Sequence, residues 1–259
     1  VLSGFLICQI LINEIIKKNK INLLNFFIRR ARRILPNLFL ISLIVSIFSY
    51  FFLLPVDFKN FGRSLFSSIF FLSNFYFYFK ADYFDTPVIN KPLIHTWSLS
   101  IEEQFYIVFP IILLIIYRIK KYVHSSDIFF LLIISFIPII LVFFDILNYN
   151  FFLTYFRIYE ILIGCFLASF LNTKIYSRII LNYKYIIDIF FISYTLIILT
   201  IIFNNLVYDY LYNFFLVIFI FLLILKNSYD KKLIFKILSF KPFVFIGLIS
   251  YGLYLWHWP

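Results

Sequence analysis

Residues 95–117 read HTWSLSIEEQFYIVFPIILLIIY, a polar motif that runs directly into an apolar segment. One histidine, His95, and two adjacent carboxylates, Glu102 and Glu103, stand at the mouth of this segment. Because lipid cannot solvate ionisable groups, their presence at membrane depth indicates a functional site. In the alternative interpretation, the two glutamates favour the first turn of a helix through its dipole and face interfacial water.

The helical repeat predicts which of these side chains lie together. With a helix that begins near Thr96, Trp97 lies on one face, while Ser98, Glu102 and Tyr106 lie on the neighbouring face. A hydroxyl, a carboxylate and a phenol would then project together into a helix bundle. The motif therefore predicts a polar site on one side of an otherwise apolar helix.

The composition indicates an integral membrane protein. The chain of 259 residues is 64% hydrophobic and 24% aromatic, with 14% charged residues and a mean hydropathy of +1.00. A soluble domain carries about 25% charged residues. The apolar runs are too long for strands and do not alternate, so they predict helices rather than a barrel. We predict an all-α fold, a polytopic transmembrane helix bundle with about eight or nine membrane segments, and no soluble domain.

Basic connections predict the topology. By the positive-inside rule, strongly basic connections lie on the cytoplasmic side. They are residues 17–33, 118–124, 174–184 and 226–241. The uncharged residues 34–54 are long enough for one crossing, with Pro36 predicted in the first helical turn, where no N–H is needed. Alternation of sides then requires either that residues 64–79 enter the membrane without crossing, which we favour, or that the cluster at Arg118 lies outside.

A dense arginine cluster precedes this first crossing. It consists of Arg29, Arg30, Arg32 and Arg33, with no lysine among them. Such a cluster can set the topology and contact anionic lipid. It can also bind phosphate, because the guanidinium fork matches phosphate oxygens and lysine does not. The absence of lysine favours the phosphate interpretation.

Two further groups of polar residues lie in apolar segments. Arg157 and Glu160 are three residues apart, which places them on one face of a predicted helix, as a structural ion pair or as part of a site. Gly164, one turn later, would let a neighbouring helix approach closely. His257 stands between two tryptophans, and an interfacial aromatic belt explains the tryptophans better than it explains the histidine.

The sequence predicts neither a disulfide nor a metal site. Cys8 and Cys165 fall inside apolar segments and resemble small core residues. The three histidines, His95, His124 and His257, are widely separated in the sequence, although folding could still bring two of them together. No phosphate-binding glycine motif is present, and no nucleic-acid partner is expected.

Five motifs in register suggest a family. They are SGFLI at 3–7, RRARRILP at 29–36, KPLIHTWSLSIEEQFYIVFP at 91–110, Arg157-x-x-Glu160 with Gly164, and ISYGLYLWHWP at 249–259. Together they closely resemble the acyltransferase family 3 membrane proteins, which are bacterial O-acetyltransferases of O-antigen, peptidoglycan and other surface glycans. The resemblance covers nearly the whole chain.

The resemblance implies a function and several roles. The family moves an acyl group, often acetyl from acetyl-CoA, from the cytoplasmic side to a sugar hydroxyl on the far side. Its Arg-x-x-Arg motif, placed near the CoA, matches Arg30 and Arg33, with Arg29 and Arg32 as an overlapping register. The expected location is the bacterial inner membrane, in a multi-pass chain. The expected partners are membrane lipid, acyl-CoA and a surface glycan or lipid-linked saccharide, with no metal.

The same resemblance sorts the candidate site residues. The family's glutamate after the Trp-Ser-Leu motif matches Glu102, so Glu102 and Glu103 are the catalytic candidates, with His95 supporting them. The family's catalytic histidine lies on a first transmembrane helix, expected upstream of Val1. The polar core is expected to contain Trp97, Ser98, Tyr106, Arg157, Glu160 and His257.

Two other functions remain open from the sequence. A glycolipid flippase or transporter without chemistry would also need a bundle lined with intramembrane charges. An inactive remnant of the enzyme is the third interpretation. Because the chain begins and ends within apolar runs, we expect residues 1–259 to be an acyltransferase domain truncated at both ends.

Overall fold

A computed structural model describes residues 1–80, 91–144, 146–150, 152–204, 209–230, 236 and 238–259. The prediction of an all-α fold is confirmed, because the described residues contain helices and no strand. The helices are α1 (Leu2–Lys18), α2 (Leu23–Phe52), α3 (Pro55–Ile69), α4 (Ser73–Lys80), α5 (Thr96–Lys120), α6 (Ser125–Ser135), α7 (Ile137–Phe143), α8 (Ile158–Phe170), α9 (Lys174–Asn204), α10 (Asp209–Tyr229) and α11 (Lys241–Trp256). A short 3₁₀ helix, Thr154–Phe156, precedes α8.

Three stretches are long and apolar enough to cross a membrane: α2, α5 and the combined residues Ser125–Phe143 of α6 and α7. A fourth crossing results if α8 and the start of α9, which meet at an angle of 87°, count as one broken span. Lipid-exposed backbone must be hydrogen-bonded internally, so helices of this kind are the expected spanning elements. The larger number of eight or nine segments stays a prediction.

The beginning of α2 differs from the prediction. The helix does not begin near Pro36 but at Leu23, where the Asn22 side chain caps it by accepting from the amide of Asn25 at 3.1 Å. The arginine cluster therefore lies inside the helix, and Pro36 is an interior residue. Proline cannot donate the helical bond to the carbonyl of Arg32. The absence of charge marked the apolar segment, whereas the cap marks where the helix starts.

The structure adds detail to two other predicted segments. Residues 174–184 are not a loop, because Lys174, Arg178 and Lys184 belong to α9. Lysine and arginine are good helix formers, so a basic connection can be helical. Residues 64–79 form parts of two helices, α3 and α4, separated at Phe71, whose φ of 56° lies in the left-handed region. Whether this segment is re-entrant stays a prediction.

The chain forms two compact units. The first contains Val1–Asn19, Tyr122–Ile137 and Tyr159–Val244. Within it α1 and α8 meet at two glycines. A Cβ built on Gly164 would lie 1.9 Å from a backbone oxygen, which confirms the predicted close approach of a neighbouring helix. A Cβ on Gly4 would meet the carbonyl of Ile161 at 2.0 Å.

The interior of the first unit also holds both cysteines. Cys8 and Cys165 are fully buried free thiols, as predicted, and the Cys165 thiol donates to the carbonyl of Gly4 at 3.3 Å. Elsewhere in this unit, α9 and α10 are joined by a polar cluster. Asp188 pairs with Lys226 and accepts a hydrogen bond from the Tyr229 hydroxyl at 2.7 Å.

The second unit contains Lys20–Lys121, Pro138–Ile158 and Phe245–Pro259. Its apolar core brings together side chains from α2, α3, α5 and the end of α11. These core residues are Leu38, Ile41, Val45, Phe61, Leu93, Leu99 and Leu255. Because the core holds the first turn of α5 against α2 and α11, the polar side chains of these helices meet in one place.

Candidate active site

Helix α5 positions the central residues of the site. It begins at Thr96, as predicted, and the Tyr106 hydroxyl donates to Glu102 Oε2 at 2.8 Å across one turn. Across from it, the Arg30 guanidinium carbon on α2 lies 4.8 Å from the centre of the Tyr106 ring. A cation over an aromatic face is attracted by the ring quadrupole. The structure thus joins one arginine of the cluster to the glutamate motif.

Glu103 is the most deeply buried of the carboxylates that the structure describes in this unit. It is 8% exposed, and its Oε1 atom has no hydrogen-bond partner among the described residues. Arg30 provides a favourable electrostatic interaction. Both glutamates lie in the second turn of α5, so the interpretation that they favour its first turn is wrong, and Glu103 is buried rather than facing water. An unsatisfied buried carboxylate oxygen is costly and can receive a donor from a ligand.

The four arginines do not share one environment. Arg30 is half-buried against Tyr106, whereas Arg29, Arg32 and Arg33 are exposed on α2. Among the described residues, none of these three forms an ion pair. Arg30 and Arg33 are one helical turn apart, on the same side of α2. As far as the described residues show, three guanidinium groups therefore remain available to an anion.

The N-terminal end of α5 packs against the C-terminal end of α11. His95 is 7% exposed, and its ring centre lies 5.4 Å from that of His257 and 5.5 Å from that of Tyr254. The Tyr254 hydroxyl donates to the carbonyl of His95 and shares a 2.8 Å hydrogen bond with the hydroxyl of Ser98. Two histidines that are 162 positions apart in the sequence are thus neighbours, and the sequence did not single out Tyr254.

Arg157 does not lie where the sequence predicted. It follows the 3₁₀ helix and precedes α8, so the assumption of one continuous helix carrying Arg157 and Glu160 is wrong. Arg157 belongs to the second unit, and Glu160 to the first. Pairing between the two stays a prediction. The Arg157 guanidinium carbon instead lies 5.7 Å from the centre of the Trp97 ring, a cation–π contact. Arg157 and Trp97, both predicted to belong to the polar core, thus contact each other.

A ring of hydrogen bonds that the sequence did not reveal supports this region. Gln104 donates from Nε2 to Asn74 Oδ1 and to the carbonyl of Phe71, both at 2.8 Å. Asn74 donates to Thr154 Oγ1 and to the carbonyl of Phe152, both at 3.1 Å. Thr154 closes the ring by donating to Gln104 Oε1 at 2.6 Å. The ring ties the break between α3 and α4 to α5 and to the segment that carries Arg157.

Four buried hydroxyls form a second cluster. Ser68 and Thr96 are 2.8 Å apart, Thr96 donates to Ser73 at 3.0 Å, and Ser73 and Ser100 are 2.7 Å apart. Each hydroxyl can both donate and accept, so the cluster is satisfied without charge. The recurrence of serines within the otherwise apolar residues 64–79 could have indicated this cluster from the sequence.

The fold and this site define a helical membrane protein whose polar centre is built from an arginine on α2, the glutamate motif on α5 and the end of α11. A family model described as an acyltransferase domain, acyltransferase 3, matches residues 1–259. The chain therefore belongs to the acyltransferase 3 family.

Similar proteins carry related names. The O-acetyltransferase OatA of Staphylococcus aureus (strain NCTC 8325 / PS 47) is 34% identical over 273 residues, which cover 100% of this chain and 44% of that protein. The peptidoglycan O-acetyltransferase OatA of Listeria monocytogenes is 34% identical over 278 residues, or 100% of this chain and 43% of that protein. The chain thus spans less than half the length of these relatives. No solved structure matches it.

Proposed function

We propose that this chain is the membrane part of an O-acyltransferase. It would move an acyl group, acetyl in the simplest case, from acyl-CoA at the cytoplasmic face to a hydroxyl of an extracytoplasmic glycan such as peptidoglycan. The membership of the family and the names of the two relatives support the reaction class and the acceptor. The bacterial inner membrane is the proposed location.

The observation that carries the proposal is the contact of Arg30 with Tyr106 and, through it, with Glu102. This contact connects a cationic helix segment to the half-buried Glu102 carboxylate, next to the buried Glu103. A transferase that handles an anionic carrier beside a reacting group needs such a connection. A flippase would need no such link between an anion site and an unsatisfied carboxylate. Glu103 provides that carboxylate.

The arginine cluster fits the donor. CoA carries phosphates that are too charged to enter lipid, whereas its pantetheine arm is uncharged. Exposed arginines without ion pairs among the described residues can bind phosphate oxygens bidentately. Phosphates held by Arg33 and its neighbours would leave the arm free to extend past Arg30 toward the glutamates.

The transfer itself needs a base and a group that stabilises negative charge. The acceptor oxygen attacks the thioester carbonyl, a carbon–oxygen bond forms, the carbon–sulfur bond breaks, and the hydroxyl proton passes through a base to the leaving thiolate. The resemblance implies a catalytic histidine outside residues 1–259. We therefore assign Glu102 and Glu103 to orienting that base and stabilising its protonated form. The Arg30 charge counters the oxyanion that develops at the carbonyl.

Binding of CoA tests the donor site. In the purified full-length protein, the double substitution Arg30→Ala and Arg33→Ala is expected to weaken CoA binding about tenfold or more, because each charge-assisted hydrogen bond contributes about 1.5–3 kcal/mol. Calorimetric titration in detergent measures the affinity. Arg63→Ala is the matched control, since Arg63 is an exposed arginine on α3. Unchanged affinity of the double variant at low salt would remove the phosphate role.

Transfer of labelled acetyl from acetyl-CoA to peptidoglycan tests the reaction. The full-length protein in vesicles is expected to label the glycan, and Glu103→Gln is expected to abolish labelling while CoA binding remains. A wild-type protein that binds CoA without acylating any glycan contradicts the proposed acceptor. A protein that does neither contradicts the function.

A further inference from the structure

We propose that His95 and His257, at the mouth of α5, form the subsite that binds the acceptor saccharide through its hydroxyl groups. This inference rests on the proposed function and adds the place where the sugar is held. The subsite is built from residues 91–98 and 254–258, all within the second unit.

The first argument is the unsatisfied buried imidazole of His95. It is more than nine-tenths buried, and neither Nδ1 nor Nε2 forms a hydrogen bond of good geometry among the described residues. The carbonyls of Leu255 and Pro92 interact with the ring, but a carbonyl only accepts, so the ring nitrogen that carries no hydrogen has no donor among the described residues. A buried polar group without a partner costs about 1–3 kcal/mol. A ligand that donates or accepts there removes this cost.

The second argument is the orientation of His257. Its Nδ1 atom is hydrogen-bonded to the carbonyl of Tyr254. A carbonyl only accepts, so Nδ1 carries the hydrogen, and Nε2 of the neutral ring is an acceptor. His257 is exposed. The ring therefore presents a fixed acceptor nitrogen beside the buried imidazole, which suits a donating hydroxyl group.

The third argument is a fixed aromatic face. The Trp258 indole N–H donates to the carbonyl of Lys91 at 3.0 Å, while 41% of the residue stays exposed. An indole that is held by one edge and open on its face can pack against the apolar face of a sugar ring at little cost in conformational entropy. The interfacial belt accounts for a tryptophan at this depth. It does not account for the adjacent unsatisfied imidazole.

The depth of the two sites fits a two-substrate arrangement. Glu103 lies eight residues beyond His95, or about 12 Å along the helix at 1.5 Å per residue. The saccharide would thus enter at the N-terminal end of α5, while the donor, with its phosphates at Arg33 and its neighbours, extends its arm past Arg30 further along the helix. Between the two, Ser98 and Tyr254 place hydroxyl groups one turn before Glu102.

The test measures saccharide binding separately from transfer. The full-length protein is titrated with soluble peptidoglycan fragments in the absence of CoA, and tryptophan fluorescence reports binding. His257→Ala is expected to weaken fragment binding about tenfold, the loss of roughly one hydrogen bond and its ring contact. CoA affinity and thermal stability are expected to remain unchanged. His257→Gln, which keeps an acceptor, is expected to restore part of the fragment affinity.

The control is His124→Ala, because this histidine lies in the first unit, outside the subsite. Fragment affinity that is the same in His257→Ala and His124→Ala overturns the inference, and the proposed function stands if the wild type still transfers acetyl. Fragment binding that depends on His257 in a wild type without transferase activity supports the subsite and contradicts the proposed function. His95→Ala serves as a second probe where melting shows that it folds.

Discussion

Replacing Gly4 by alanine is expected to force α1 away from α8. The added Cβ would lie 2.0 Å from the carbonyl oxygen of Ile161, and real Cβ contacts are not shorter than 3.0 Å. The obstacle is backbone, which cannot rotate away. The two helices must therefore separate locally by about 1 Å, the difference between these distances. The hydrogen bond from the Cys165 thiol to the Gly4 carbonyl is expected to lengthen with this movement.

Two opposing effects set the magnitude for Gly4→Ala. Overpacking of a close contact costs about 1–3 kcal/mol. Alanine in place of glycine inside a helix regains about 0.5–1 kcal/mol. We expect a net loss of up to about 2.5 kcal/mol, which corresponds to a decrease in Tm of several degrees. Thermal melting of the detergent-purified protein measures it.

A second readout locates the effect. Cys8 and Cys165 are fully buried, so maleimide labelling of the native protein is expected to be slow and to accelerate in Gly4→Ala. Gly62→Ala on α3 is the matched control, because nothing lies within 4 Å of its added Cβ. It gains the same helix propensity without a clash, so its Tm is expected to rise slightly. Equal Tm and equal labelling in the two variants would refute the close helix contact.

Three further predictions concern polar groups. Gln104→Glu removes two N–H donors and sets a carboxylate against two acceptor oxygens. We expect the free energy of unfolding to fall by at least about 2 kcal/mol, measured by thermal melting. An unchanged Tm would contradict the hydrogen-bond ring. Tyr106→Phe keeps the aromatic ring beside Arg30 but loses the hydrogen bond to Glu102. CoA affinity should therefore stay within about twofold while acetyl transfer slows about tenfold. Equal losses of CoA affinity and transfer rate would contradict a separate role for the Glu102 hydrogen bond. Burial acts to raise the pKa of Asp188, but hydrogen bonds from a lysine and a tyrosine outweigh it and lower the pKa below the ordinary 3.8. Its contribution to stability is therefore present above that pKa and lost as the pH falls through the lowered value, so a series of melting curves in acid should show a shallower decline for Asp188→Asn.

Local periodicity explains what the sequence predicted well. The pairing of Glu102 with Tyr106 follows from their spacing of four residues on one helix. The start of α5 at Thr96 was also predicted from the local sequence. The close approach at Gly164 follows from the absence of a side chain. In each case the information lies within about two helical turns of the chain.

Long-range and boundary features escaped the sequence for physical reasons. An uncharged run marks where lipid contact begins, but Asn22 started α2 well before that point, so Pro36 was misplaced. The one-helix assumption for Arg157 failed because a 3₁₀ turn intervenes. The neighbourhood of His95 and Tyr254 depends on how two distant helices pack, and no local pattern encodes that distance.

The ring of Gln104, Asn74 and Thr154 has a consequence for how this chain can evolve. Every amide hydrogen of the two side chains already has an acceptor, so neither amide can turn end over end without opposing like atoms. The loss of any member leaves hydrogen-bonding groups of the other two without partners, and Asn74 is fully buried, where such a loss is costly. Strong epistasis should therefore join the three positions, and descendants of this protein should exchange them as a set.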